Sequence, residues 1–212
     1  MLFVPGPNGV ASVTYDSSND KIKLSTVTLE DKIVYSISAD TTVENVIYSR
    51  TLKNPDALYS WCVPFDFTYT EEVSEHISFY RIDTFEVFDD TRVEIHTKSI
   101  PIGDVLYANM PYFIQSDESG QTYTFNALTL GKKNIILKPS MTAVSTGTPV
   151  CTYTNEQGYF HFYPVHKKTT VEDFGGYFYT ITASGAISRQ TKPTSSVDSF
   201  RWLFQYIPYD NG

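Results

Sequence analysis

Period-two alternation of apolar and polar residues runs through almost the whole chain, and it confines the fold to sheets. Val10 to Tyr15 (VASVTY) and Ile22 to Leu29 (IKLSTVTL) alternate in this way, with Asp16-Ser17-Ser18-Asn19-Asp20 as the turn between them. Ile33 to Ser38 sets Ile33, Tyr35 and Ile37 against Val34, Ser36 and Ser38. Val43 to Leu52, Tyr59 to Phe67, Ile77 to Phe88 and Arg92 to Ser99 continue the pattern. Tyr112 to Gln115, Thr122 to Leu130, Ile135 to Leu137 and Val150 to Thr154 follow, and then Tyr159 to Val165, Tyr177 to Thr182, Ala186 to Arg189 and Phe200 to Ile207. Only two short segments suit a helix, Pro55 to Tyr59 and Val171 to Phe174. The expected architecture is therefore all-β, an antiparallel β-sandwich of the jelly-roll or immunoglobulin-like kind. Ser38-Ala39-Asp40-Thr41-Thr42 is the expected boundary. Residues 1–40 form an N-terminal β-hairpin region or small subdomain in this reading, and residues 41–212 form the main sandwich.

Charge narrows the function classes. The 212 residues carry 16 Lys and Arg against 24 Asp and Glu, a formal net charge of -8. A nucleic-acid surface needs clustered cations, and the two basic pairs, Lys132-Lys133 and Lys167-Lys168, are isolated between uncharged stretches. Apolar residues make up 41% of the chain, enough for one sizeable core or two small ones. No apolar run approaches the roughly 18 residues of a membrane span. Met1 to Pro7 does not read as a secretory signal, because Pro5-Gly6-Pro7 cuts its apolar stretch short. Cys62 and Cys151 lack metal-ligand spacing. They read as two small buried side chains, with a single disulfide as the alternative.

Catalytic patterns do not stand out. Ala183-Ser184-Gly185-Ala186 lacks the glycine framing of a nucleophile elbow and reads as a hairpin turn, and Gly175-Gly176 reads as a turn or bulge without a phosphate-binding lysine. His76, His96, His161 and His166 show no shared metal spacing, since Pro164 interrupts the strand between the last two. The densest acids are Asp66, Asp83, Glu86, Asp89 and Asp90. Asp89-Asp90-Thr91 closes a hairpin that turns Phe85, Val87, Val93 and Ile95 inward. Glu86, Arg92, Glu94 and His96 then lie on its outer face, where they pair across strands. No residue is assigned a catalytic, cofactor-binding or metal-binding role.

Aromatic residues are the more informative feature, with 16 Tyr, 14 Phe and 2 Trp. Tyr159-Phe160-His161-Phe162-Tyr163 and Tyr177-Phe178-Tyr179 put rings on both faces of their strands. Two readings are open: both faces are buried between packed layers, or outward rings form a platform for glycan stacking.

One set of strings resembles a known pattern. Ile47-Tyr48-Ser49-Arg50-Thr51-Leu52-Lys53-Asn54 is followed by Leu58 to Asp66 with Val63-Pro64-Phe65, then by Tyr107-Ala108-Asn109-Met110-Pro111-Tyr112-Phe113-Ile114, Tyr179 to Ile187, and Phe200-Arg201-Trp202-Leu203. In this order they resemble an uncharacterised β-rich module of exported and cell-surface multidomain proteins of Bacteroidetes. Pro64 sits where a strand ends, and Arg50 and Arg201 are expected to bond carbonyls or acids as fold determinants. Met1 to Asp20 has no counterpart in the pattern. The resemblance implies an extracellular or cell-surface setting. The expected function is a non-enzymatic module for adhesion or protein interaction, with carbohydrate binding through exposed aromatic residues as the alternative. Its partner would be a protein or glycan, with no cofactor, nucleic acid or membrane-spanning segment.

Overall fold

The computed structural model describes residues 12–16, 21–31, 34–37, 39–89, 92–116, 120–126, 134–140, 148–182 and 184–209. In chain order the first third contains β1 (Ser12–Asp16), β2 (Lys21–Glu30), β3 (Thr41–Arg50), β4 (Tyr59–Trp61), β5 (Phe67–Thr68) and the one-turn helix α1 (Glu71–Ser74). The middle contains β6 (Ser78–Val87), β7 (Val93–Ser99), β8 (Val105–Leu106), β9 (Tyr112–Gln115), β10 (Gln121–Asn126) and β11 (Ile135–Leu137). The last third contains β12 (Cys151–Asn155), β13 (Gly158–Val165), β14 (Thr169–Thr170), the one-turn helix α2 (Val171–Phe174), β15 (Phe178–Ile181), β16 (Ile187–Gln190), β17 (Ser196–Val197) and β18 (Arg201–Pro208). The all-β expectation holds.

Three sheets stack into layers. The first runs β1-β2-β3-β10, with β11 also pairing β3; the central one runs β4-β9-β6-β7; the third runs β12-β13-β18-β15-β16. Consecutive residues of β9 show why the central sheet is buried on both faces. Tyr112 and Ile114 point into a cluster with Val46, Tyr48, Trp61, Phe79 and Phe200. Phe113, between them, points the other way, into a cluster with Phe160, Phe162, Trp202 and Phe204 from the third sheet. A strand with a packed layer on each side must be apolar at successive positions, which is what Tyr-Phe-Ile supplies. Beyond the third sheet, Val171, Phe174 and Val197 cover Tyr163, Phe178 and Leu203.

Apart from the exposed Tyr159, the rings of both aromatic runs therefore serve packing. Phe160 and Phe162 lie in the core between the central and third sheets, while Tyr163 faces the outer cluster. Phe178 and Tyr179 divide the same way. Within the shared core Phe162 and Phe204 stack at 5.2 Å between ring centroids, and Phe113 meets Trp202 edge-on at 5.1 Å. Each fully buried ring contributes about 1.5–3 kcal/mol of hydrophobic stabilisation.

Several local expectations need correction. Pro55 to Tyr59 is a turn and then a strand, because Asn54 accepts the Ala57 N–H at its carbonyl and the Asp56 N–H at its side chain. Tyr59 to Phe67 splits into β4 and β5 around Pro64, which has no N–H for a ladder. Tyr35 and Ile37 are buried and Val34 and Ser36 exposed, so the alternation there is real, but the segment joins no ladder. Its Tyr35 N–H donates to the His166 carbonyl at 2.9 Å; Ile33 and Ser38 lie outside the described residues. Helix α1 went unanticipated, although Thr70 ahead of Glu71-Glu72 is an N-cap signal and its hydroxyl does accept the Val73 N–H. Gly175 ends α2 at φ 78, as a helix C-cap and not a strand bulge. The turn at Ser184-Gly185 is as expected, with Gly185 at φ 82 and Thr182 bonded to Ala186; Ala183 lies outside the described residues.

One pairing breaks the antiparallel rule and positions the site described next. β2 and β3 run parallel, with Leu29 beside Tyr48 and Glu30 beside Ser49. The chain thus passes residue 40 between two neighbouring strands of one sheet, and Val27 and Tyr35 share a core with Trp61 and Phe200.

Candidate functional site

Parallel neighbours bring their C-terminal ends to the same edge. The inward face of β2 reads Val27, Leu29 and then Asp31 just past its end, and that of β3 reads Val46, Tyr48 and Arg50. Alternation alone directs the last member of each series, a charged one, toward the space between layers. Arg201, at the start of β18, meets them there from the third sheet.

These three residues form an ion-pair lattice. Arg201 Nη2 donates to Asp31 Oδ2 at 2.9 Å and lies 3.5 Å from Asp198 Oδ2, and Arg50 Nε lies 3.8 Å from Asp31 Oδ1. Arg50, with its side chain 3% exposed, also donates from Nη1 to the Ser60 carbonyl, and its guanidinium rests 5.4 Å from the centre of the Tyr59 ring. The expectation that Arg50 and Arg201 bond a carbonyl and an acid is met on both counts. Asp31 and Asp198 were not anticipated. The signal for Asp31 was its place two residues beyond Leu29 on the inward side, and for Asp198 its spacing from Arg201.

Above the lattice opens a cleft of about 630 Å³, within the size range of small-ligand sites. Its walls include Glu30, Asp31 and Asp198 against Arg50, Lys53 and Arg201, three charges of each sign, with Ser49, Thr51 and Thr182 between them. Asp31 Oδ1, Arg50 Nε and Arg201 Nε are closed off from solvent and have no hydrogen-bond partner among the described residues. The lining side chains offer donors and acceptors together in a frame that ion pairs already hold.

The acids, histidines and cysteines singled out in the sequence lie elsewhere. Glu86, Glu94 and His96 do share the outer face of the β6–β7 hairpin, with ligand-capable atoms within 4.8 Å of one another, while Phe85, Val87 and Ile95 pack inward. His96 is 3.7 Å from Glu86 across the two strands, while Arg92 donates to Glu94 at 2.7 Å along its own arm of the hairpin, so only the first of the two pairs on this exposed surface crosses the strands as expected. Asp83 and Asp89 are exposed, Asp90 lies outside the described residues, and Asp66 accepts the Ala108 N–H as a loop clamp. His166 is buried, with Nε2 3.0 Å from Asn109 Oδ1, and burial lowers its pKa to about 4. Burial likewise pushes the Cys62 thiol up and the Cys151 thiol up to about 12; both are free.

Two surface features remain. Tyr159 lies across the strands from Ile207, and its ring meets that of Tyr209 at 4.9 Å and 78°, edge to face and not as one plane. Around β8, Ile102 in the preceding turn, Val105 in the strand and Tyr107 just after it are exposed while Leu106 is buried. That turn is pinned by Gly103 N–H to the Tyr69 carbonyl and Tyr69 N–H to the Asp104 carbonyl, both at 2.8 Å.

Among the described residues no helix is long and apolar enough to cross a membrane. Comparison of the chain with protein-family models, curated proteins and solved structures finds no match.

Proposed function

We propose that the chain is a non-enzymatic recognition module, used for adhesion or protein interaction outside the cell or at its surface, the setting that the sequence resemblance implies. The prebuilt cleft over Asp31, Arg50 and Arg201 carries this reading. Its deep charged groups are engaged with one another, which suits a rigid binding surface: side chains already fixed by ion pairs lose little entropy when a ligand arrives. The pinned apolar turn at Ile102, Val105 and Tyr107 adds a second contact surface of the kind that marks protein interaction. Carbohydrate binding through exposed rings is the second reading; it rests on the exposure of Tyr159 and Tyr209, whose edge-to-face contact leaves a sugar one ring face to pack on and not a shared plane.

Beads carrying the chain, washed over surfaces coated with mucin, collagen or fibronectin, test the proposal. Retention on at least one coat, lost on the rim double variant Lys53→Glu with Asp198→Lys, is the expected result. Equal washing from every coat would overturn it, and release of reducing ends or peptides from a coat would make the chain an enzyme.

A further inference from the structure

We infer that the cleft over Arg50 and Arg201 takes a neutral, polyhydroxylated ligand of one or two saccharide residues, in preference to a phosphate, a carboxylate or an amine. The inference rests on the cleft being the recognition site, and it adds the class of ligand.

Charge balance is the first ground. A phosphate or carboxylate entering the cleft would gain Arg50, Lys53 and Arg201 but would meet Glu30, Asp31 and Asp198 at the same time. An amine meets the opposite conflict. Within the cleft neither ion meets a net charge, whereas an uncharged ligand faces no such opposition.

The second ground is the inventory of donors and acceptors. Carboxylates only accept hydrogen bonds, and guanidinium and ammonium groups only donate them. A hydroxyl does both, so adjacent hydroxyls on a sugar ring can donate to Asp31 or Asp198 while accepting from Arg201 or Lys53. Arg50 Nε and Asp31 Oδ1, 3.8 Å apart and closed off from solvent, belong to the frame beneath the cleft and not to its contact surface. At the rim a phosphate oxygen would accept from Lys53 or Arg201 but would be repelled by Asp198, whereas one hydroxyl can bond both kinds of group.

The third ground is rigidity. The Asp31–Arg201 bond and the Arg50 bond to the Ser60 carbonyl hold planar, polar groups in place before any ligand arrives. Sugars differ from one another in the direction of single hydroxyls, so discriminating among them needs partners that do not move.

The experiment is an amide-shift titration of the intact, isotope-labelled chain with glucose, galactose, mannose and N-acetylglucosamine, and separately with inorganic phosphate, succinate and ethanolamine. At least one sugar is expected to give saturable shifts at Thr51, Lys53, Thr182 or Asp198, with none from the three ionic probes. Asp198→Asn should weaken that sugar about tenfold, the equivalent of one hydrogen bond to a charged group, with its thermal midpoint unchanged. Saturable shifts from an ionic probe at these residues would overturn the inference, as would silence from all four sugars. Bead retention that depends on Lys53 and Asp198 would survive either result, so failure of the ligand class is distinguishable from failure of the recognition reading.

Discussion

Arg201 donates from Nη2 to Asp31 Oδ2 at 2.9 Å, joining two residues 170 positions apart and closing the third sheet onto the first. Asp31 also faces Arg50, so one carboxylate stands between two guanidinium groups, one of them nearly excluded from solvent.

Removing that carboxylate leaves two cations facing each other. Asp31→Ala is expected to cost about 2–3 kcal/mol, below the full value for a deeply buried pair because Asp31 and Arg201 keep some solvent contact. Urea unfolding measures it, and an unchanged midpoint would show that the lattice contributes nothing to stability.

His166 makes stability depend on pH. Its imidazole takes a proton near pH 6.5 in the unfolded chain but only near pH 4 in the fold, because burial disfavours the cation. Between those values the unfolded state binds more protons, so stability is intact above pH 6.5 and falls as the pH falls toward 4, by about 3 kcal/mol over the window. Urea midpoints at pH 7 and pH 4.5 should differ less in His166→Gln than in the wild type; equal differences would assign the pH dependence to other groups.

Gly158 opens β13 against β18 with no room for a side chain. A Cβ there would run into the Ile207 carbonyl and the Tyr206 ring, so Gly158→Ala should cost about 1–3 kcal/mol by overpacking. Thermal unfolding by circular dichroism checks this, with Gly176→Ala as a control for lost glycine character alone, since Gly176 has no left-handed φ and a Cβ there meets only Gln205 Nε2 at 3.8 Å.

Cys62 is buried and Cys151 half-buried, and burial disfavours both thiolates. At pH 8 the native chain should react slowly with a thiol reagent, and the unreduced chain in denaturant should yield two thiols. Finding none would mean that the pair is oxidised and would favour the exported setting.

Strand positions were legible because alternation in a sheet is local: Val27, Leu29, Tyr48 and the β6–β7 hairpin each declare their inward side within a few residues. Helix α2 and the Gly185 turn were legible for the same reason. Helix and strand boundaries slipped where a side chain outside the pattern intervened, as Asn54 does at the Pro55 turn and Pro64 does between β4 and β5.

Sequence alone determined that this chain builds sheets, where most strands lie, and that its rings would be sheet-packing residues or a platform. Tertiary structure set which rings are buried by stacking three layers, so that Tyr112, Phe113 and Ile114 are all buried although they point in opposite directions, while Tyr159 and Tyr209 stay exposed. It also made the cleft. Alternation states that Asp31 and Arg50 face inward but not which strands are neighbours, and only the parallel pairing of β2 with β3 and the arrival of β18 bring Asp31, Arg50 and Arg201 together. Pairing between distant strands depends on the packing of whole layers, and no short window of sequence contains that information.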